Sequence, residues 1–221
     1  MPKIRTLILQ FANMLLPNEI TQFRGAAIAS LKQNNILYHN HDENGVVYKY
    51  PRIQYKRIHQ KAAIVGINEG VEAIHELFTS GNFVYRIGNK KEAMLIQSID
   101  VYETNISICQ EMKNYRLHNW LPLNSKNYEQ FQSTDSLRER IAILERVLIG
   151  NILSFLKGVG IHIEEKIEIQ ITDITNQKMI TYKNVKLMAF DIEFKTNIQL
   201  PQYIGIGKNA SIGCGVLTII K

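Results

Sequence analysis

Lys3 to Phe11 is largely apolar, with Ile4, Leu7, Ile8, Leu9 and Phe11, and predicts a buried first strand. Pro17-Asn18-Glu19 then opens a helix with Ile20, Phe23, Ala27 and Leu31 on one stripe. A loop rich in Asn and His follows from Asn34 to Gly45. Val46 to Ile58 alternates apolar and polar positions and reads as a strand interrupted at Pro51. Ala62 to Ile67 gives another strand, Glu69 to Phe78 a short helix closed by Gly81, and Ala93 to Tyr102 a further strand. The order β-α-β-β-α-β is the ferredoxin-like pattern.

The second half starts less clearly. Residues 105 to 134 hold the one tryptophan, Trp120, in a polar stretch that the pattern does not place. Ser136-x-x-Glu139 is a capping box. It opens a long helix with Leu137, Ile141, Leu144, Leu148, Ile152 and Phe155 on one face, ended by Gly158 and Gly160. Isoleucines at 161, 163, 167, 169 and 171 alternate with polar residues and predict an amphipathic strand. Val185 to Phe194 predicts a second strand, with a bulge where the apolar phase shifts between Ala189 and Phe190. Val216 to Ile220 ends the pattern. The reading is α+β, with an N-terminal domain over 1–104 and a C-terminal domain over 105–221.

Composition adds bounds. The chain has 221 residues and is 45% hydrophobic, enough for folded cores and too apolar for a disordered chain. A formal charge of +6 favours a polyanionic partner. Twelve basic residues stand against nine acidic before Thr104 and fourteen against eleven after it, so the excess spans both halves. Two distant cysteines, Cys109 and Cys214, make neither a disulfide framework nor a CxxC metal site and suit the reducing cytoplasm. Gln10 and Asn13 interrupt the first apolar stretch, which argues against a secretory leader, and no run has the length of a membrane span.

Three places carry candidate chemistry. Tyr38-His39-Asn40-His41-Asp42 puts two histidines at i and i+2. Two imidazoles beside a phosphodiester can divide proton removal from a ribose 2′-OH and protonation of the departing 5′-oxygen, with no metal. His39, His41 and Asp42 as metal ligands, or two solvated histidines, are the alternatives. Next comes an acid-free tract, Lys49, Arg52, Lys56, Arg57 and Lys61, interleaved with Tyr48, Tyr50 and Tyr55. Cations there neutralise phosphates and tyrosine faces stack on unpaired bases, unless the tract is a solvated strand face. The third place is Ile204-Gly205-Ile206-Gly207-Lys208-Asn209-Ala210-Ser211-Ile212-Gly213-Cys214-Gly215. Its Gly-x-Gly steps read either as a phosphate cradle beside Lys208 or as a tight bulged hairpin. Of the other histidines, His59 adjoins the basic tract, while His75, His118 and His162 carry no motif.

Together the β-α-β-β-α-β opening, the histidine loop and the terminal glycine segment resemble the CRISPR-associated repeat-processing endoribonucleases, the Cas "six" family of the RAMP superfamily. Leu16 to Gly25 and Pro51 to Arg57 are similar to one branch of it. The resemblance implies tandem ferredoxin-like domains and metal-independent, cofactor-free cutting of precursor RNA within each repeat. The ends would be a 2′,3′-cyclic phosphate and a 5′-OH. It implies His39 and His41 as the catalytic pair, with Lys56 or Tyr38 supporting the transition state. Lys49, Arg52, Tyr55, Arg57, Gly205, Gly207, Lys208, Gly213 and Gly215 would hold the RNA. A monomer or homodimer bound to repeat RNA, alone or within a CRISPR effector complex, is the expected assembly. The contrasting reading is a non-catalytic RNA-binding subunit of such a complex.

Overall fold

The computed structural model describes residues 1–31, 36–39, 41–42, 45–46, 50–80 and 83–220. It divides into two compact units. One holds Lys3–Thr104 together with Ser211–Gly213, and the other holds Met1–Pro2, Asn105–Ala210 and the residues from Cys214 onward. Both are α+β. Among the described residues no helix is long and apolar enough to cross a membrane.

In the N-terminal unit β1 (Lys3–Met14) leads through a 3₁₀ turn, Pro17–Glu19, into α1 (Ile20–Ala29). The Glu19 carboxylate accepts the Leu16 N–H at 2.8 Å, satisfying a donor that the turn would leave bare. Ile20, Phe23 and Ala27 are the buried stripe, as their spacing predicts, and the helix stops before Leu31. A four-residue helix, α2 (Ile36–His39), precedes a small hairpin, β2 (His41–Asp42) with β3 (Gly45–Val46). The hairpin β4 (Ile53–Ile58) and β5 (Lys61–Ile67) turns at His59 and Gln60, whose φ values of 48° and 67° are those of a type I′ turn. Then come α3 (Glu69–Ser80), a hairpin of β6 (Val84–Ile87) and β7 (Lys90–Ala93) that the pattern had not indicated, and β8 (Ile96–Asn105).

The sheet order is β4-β5-β1-β8, the ferredoxin-like arrangement in which the first and third strands are central. Phe11 of β1, Phe23 of α1, Tyr55 of β4 and Tyr85 of β6 form its aromatic core, with ring centroids about 6 Å apart.

The C-terminal unit opens on β9 (Ile108–Trp120) and α4 (Ser125–Ser133), which fill the stretch that the pattern left unplaced. Asn124 caps α4 by accepting the Asn127 N–H at 2.8 Å. The long helix is α5 (Leu137–Gly158), and Ser136 accepts the Glu139 N–H as the capping box requires. Ile143, Leu144, Leu148, Ile152, Phe155 and Leu156 are buried, but Leu137 is 67% exposed, so the apolar face starts a turn late. β10 (Ile169–Tyr182) and β11 (Val185–Ile198) form a long hairpin and β12 (Val216–Ile219) closes the sheet. Ile161 to Glu168 lie outside the ladder, although Ile161 and Ile167 are buried.

Order β10-β11-β9-β12 repeats the first sheet strand for strand. Between the third and fourth strands, where the N-terminal unit has α3, this unit has residues 199–215. β11 runs in regular register through Ala189 and Phe190, where a bulge was expected, and the extra residues are on its neighbours instead. Phe190 pairs with Trp120 and Ile192 with Leu117, so the extra residue is on β9, where Asn119 has φ 48°. β10 carries its own extra residues at Thr172 and Thr175.

Candidate functional site

The histidines bracket the junction of α2 and β2: His39 is the last residue of the helix and His41 the first of the strand, paired with Val46. Their side chains, that of Asp42 and the whole of Lys49 lie outside the described residues. Tyr38 is described. It is 1% exposed and its hydroxyl donates a 2.7 Å hydrogen bond to the carbonyl of Ala73 on α3. The expectation that Tyr38 supports a transition state is corrected by that bond, because a buried hydroxyl engaged with a helix carbonyl does not reach a substrate.

Within the basic tract β4 is buried except at Arg57, and Arg52, Arg57 and Lys61 are half-buried, so the tract is not one solvated basic face. Tyr55 and Lys56, on opposite faces of β4, are both 0% exposed. Tyr55 packs edge-on to Phe23 with centroids 6.0 Å apart, so its ring is not available to stack on a base. Burial pushes the Tyr55 hydroxyl well above the ordinary phenol range; Tyr38 beside it adds to the rise and Arg24 of α1 opposes it. Lys56 is likewise too deeply placed to meet a phosphorane at the surface. Arg57 is half-buried and its Nε donates to the Leu15 carbonyl at 2.6 Å. Arg52 pairs with Glu69, Nε to Oε2 at 3.2 Å. No motif had singled out Arg24, whose place beside Tyr55 arises from the packing of α1 on β4.

The glycine segment is built as a bulged hairpin. Tyr203 N–H donates to Leu217 O at 2.6 Å, Leu217 N–H to Ile204 O at 2.9 Å and Ile206 N–H to Gly215 O at 2.8 Å. Gly205, Gly213 and Gly215 are buried. A Cβ on Gly215 (φ 60°) would collide with the Ile206 carbonyl, and one on Gly207 (φ 88°) would stand 2.7 Å from Asn151 Oδ1. That Asn151 oxygen accepts the Trp120 indole N–H at 2.9 Å. Gly215 is accounted for by close packing within the hairpin and Gly207 by packing against Asn151 and Trp120, and Lys208 between them is exposed. Ser211–Gly213 belongs to the N-terminal unit: Tyr55 N–H donates to Ser211 O at 2.8 Å, and Tyr55 forms a parallel bridge with Ile212. Ser211 and Ile212 thus cover the outer edge of β4 at Tyr55.

A polar cluster that the sequence did not advertise lies at the β9 bulge. His118 Nε2 is 3.5 Å from Thr218 Oγ1, and Arg116 is ion-paired with Glu193. Burial lowers the His118 pKa; Asp191 opposes the shift, whereas Arg116 and Lys178 reinforce it.

Two ferredoxin-like units in one chain, the first carrying a histidine turn and the second a glycine segment in place of its last helix, define a RAMP-like tandem-domain protein. Residues 2–105 match the Cas6b N-terminal domain and residues 107–220 the Cas6b C-terminal domain. The chain belongs to the Cas6b family. A crystal structure of Cas6b is 30% identical and superposes with a TM-score of 0.89, covering 99% of this chain and all of the other. That of a CRISPR RNA processing endoribonuclease Cas6b is 28% identical with a TM-score of 0.76 at the same coverage. An uncharacterised protein of Methanocaldococcus jannaschii is 32% identical over 142 residues, 64% of this chain and 90% of its own.

Proposed function

We propose that this protein is an endoribonuclease that cuts CRISPR precursor RNA within its repeats and releases guide RNAs. Supporting the reading is one observation above all: in a Cas6b chain, two histidines flank a helix–strand junction held to α3 by the Tyr38–Ala73 hydrogen bond. One imidazole removes the proton of the ribose 2′-OH. The 2′-oxygen attacks phosphorus as the bond from phosphorus to the 5′-oxygen breaks, and the other imidazole protonates that oxygen. The products are a 2′,3′-cyclic phosphate and a 5′-OH, with atoms and charge balanced without a metal. Lys208, Arg57, Arg52 and Lys49 are the cations assigned to the RNA backbone. Tyr55, Tyr38 and Lys56 are left out of direct RNA contact because they are buried.

Incubating the protein with its cognate repeat RNA in EDTA tests the reading. Cleavage with a cyclic phosphate end is expected, and none where the scissile ribose is 2′-deoxy. Substituting either histidine by alanine should lower the rate by roughly 10²–10⁴-fold. RNA that is bound tightly but never cut would instead favour a non-catalytic binding subunit. Cleavage that required added Zn or Mn would favour His39, His41 and Asp42 as metal ligands.

A further inference from the structure

α2 is a single helical turn, Ile36–His39. A turn that short does not hold itself, because helix nucleation is unfavourable and four residues give almost no propagation. The backbone position of His39 therefore depends on what anchors the turn. The residue before it, Tyr38, is buried and its hydroxyl donates at 2.7 Å to the carbonyl of Ala73. A helix carbonyl has a second lone pair to receive this bond.

The acceptor stands on an element that cannot easily shift. α3 lies on β5 with glycines at the contact: a Cβ on Gly66 would come within 2.6 Å of the Gly70 carbonyl and 2.7 Å of Ile74 Cδ1. A Cβ on Gly70 would collide with the Arg52 carbonyl, and the Arg52 side chain is paired with Glu69 in the first turn of α3. Without slack on the α3 side, the hydrogen bond fixes the α2 side. Packing alone would let the ring slide along α3, whereas an O–H···O bond selects one register.

We propose that Tyr38 is a positioning residue for cleavage: its bond to Ala73 sets the backbone of His39, the residue assigned to the proton transfer. Tyr38 itself does not touch RNA. The proposal rests on the histidine reading above.

Tyr38→Phe removes the hydroxyl and keeps the ring, while Ala73 keeps its helix bond, so the fold should survive. The measurements are single-turnover cleavage of repeat RNA, affinity for the same RNA made uncleavable by a 2′-deoxy at the cut, and melting temperature. Cleavage should slow by about tenfold or more, the scale on which small misplacements act. Affinity should stay at the wild-type value, and the melting temperature should fall by no more than the loss of one hydrogen bond accounts for. Tyr55→Phe is the control, since the Tyr55 hydroxyl has no hydrogen-bond partner among the described residues. It should leave cleavage unchanged.

Tyr38→Phe cutting at the wild-type rate would overturn the proposal. So would a slower rate matched by an equal loss of affinity, or by a fall in melting temperature beyond the loss of one hydrogen bond, which would make the tyrosine a general packing residue. His39→Ala separates the two levels. If it cuts normally, the histidine reading fails and takes the proposal with it. If it is inactive while Tyr38→Phe is normal, only the positioning role is lost.

Discussion

The carboxylate of Asp191 receives the backbone N–H of Asn119 at 2.6 Å, at the point where β9 carries one residue more than β11. Its other oxygen accepts from the Asn176 amide at 3.0 Å, beside Thr175, the second of the two extra residues of β10. One side chain thus ties both bulges to the strand between them. Asp191→Ala should lower stability by about 1–3 kcal/mol in urea unfolding, since it strands a backbone donor. Asp191→Asn retains an acceptor oxygen and should cost less.

The glycine segment separates into a structural and a charged component. Gly215→Ala places a side chain at φ 60° against the Ile206 carbonyl. The left-handed backbone alone costs roughly 1–2 kcal/mol, and the collision adds to it. A lowered melting temperature is expected. Lys208→Ala, at an exposed position, should leave melting unchanged. It should weaken RNA binding and lower the slope of log affinity against log salt by about 0.7, as for one lost contact to a single strand.

His118 predicts a pH dependence. Its folded pKa is lowered, chiefly by burial, so the fold favours the neutral ring. In the window from the ordinary imidazole value of about 6.5 downward, the unfolded chain binds more protons than the folded one. The contribution is present above that value and is lost as pH falls through the folded pKa. His118→Gln should therefore flatten the acid side of the stability profile. Equal urea midpoint shifts at neutral and mildly acidic pH for variant and wild type would contradict this.

Tyr55→Phe should be neutral or stabilising. The ring is the part that packs on Phe23, while the buried hydroxyl makes no hydrogen bond among the described residues. A melting temperature clearly below wild type would show that the hydroxyl has a partner in solution.

The N-terminal fold was legible because Lys3–Phe11 is rich in apolar residues, Ala62–Ile67 is a continuous apolar run and Pro17 marks a helix start. β9 was not, because Gln110, Glu111, Lys113 and Asn114 fall on both of its faces and the bulge at Asn119 shifts the phase before Trp120. α4 buries only Phe131, too little for a stripe. At the site, the spacing of His39 and His41 stands out in the sequence. The Tyr38 anchor does not, since its partner is a backbone carbonyl that any residue at position 73 would supply. Alternation along β4 suggested one wet face, yet Tyr55 and Lys56 are both buried. The cover on the strand's edge comes from Ser211, more than a hundred residues away.

That distant cover has a bearing on how the chain is made. The N-terminal sheet is synthesised first, but Ser211–Gly213 appears only after residues 105–210 have been added. At 5–20 residues per second the interval is on the order of 5–20 s. Throughout it the nascent β4 offers an unpaired N–H at Tyr55 to any passing strand. A fragment ending at Thr104 would keep that hazard permanently, so the first unit is best expressed with the rest of the chain attached.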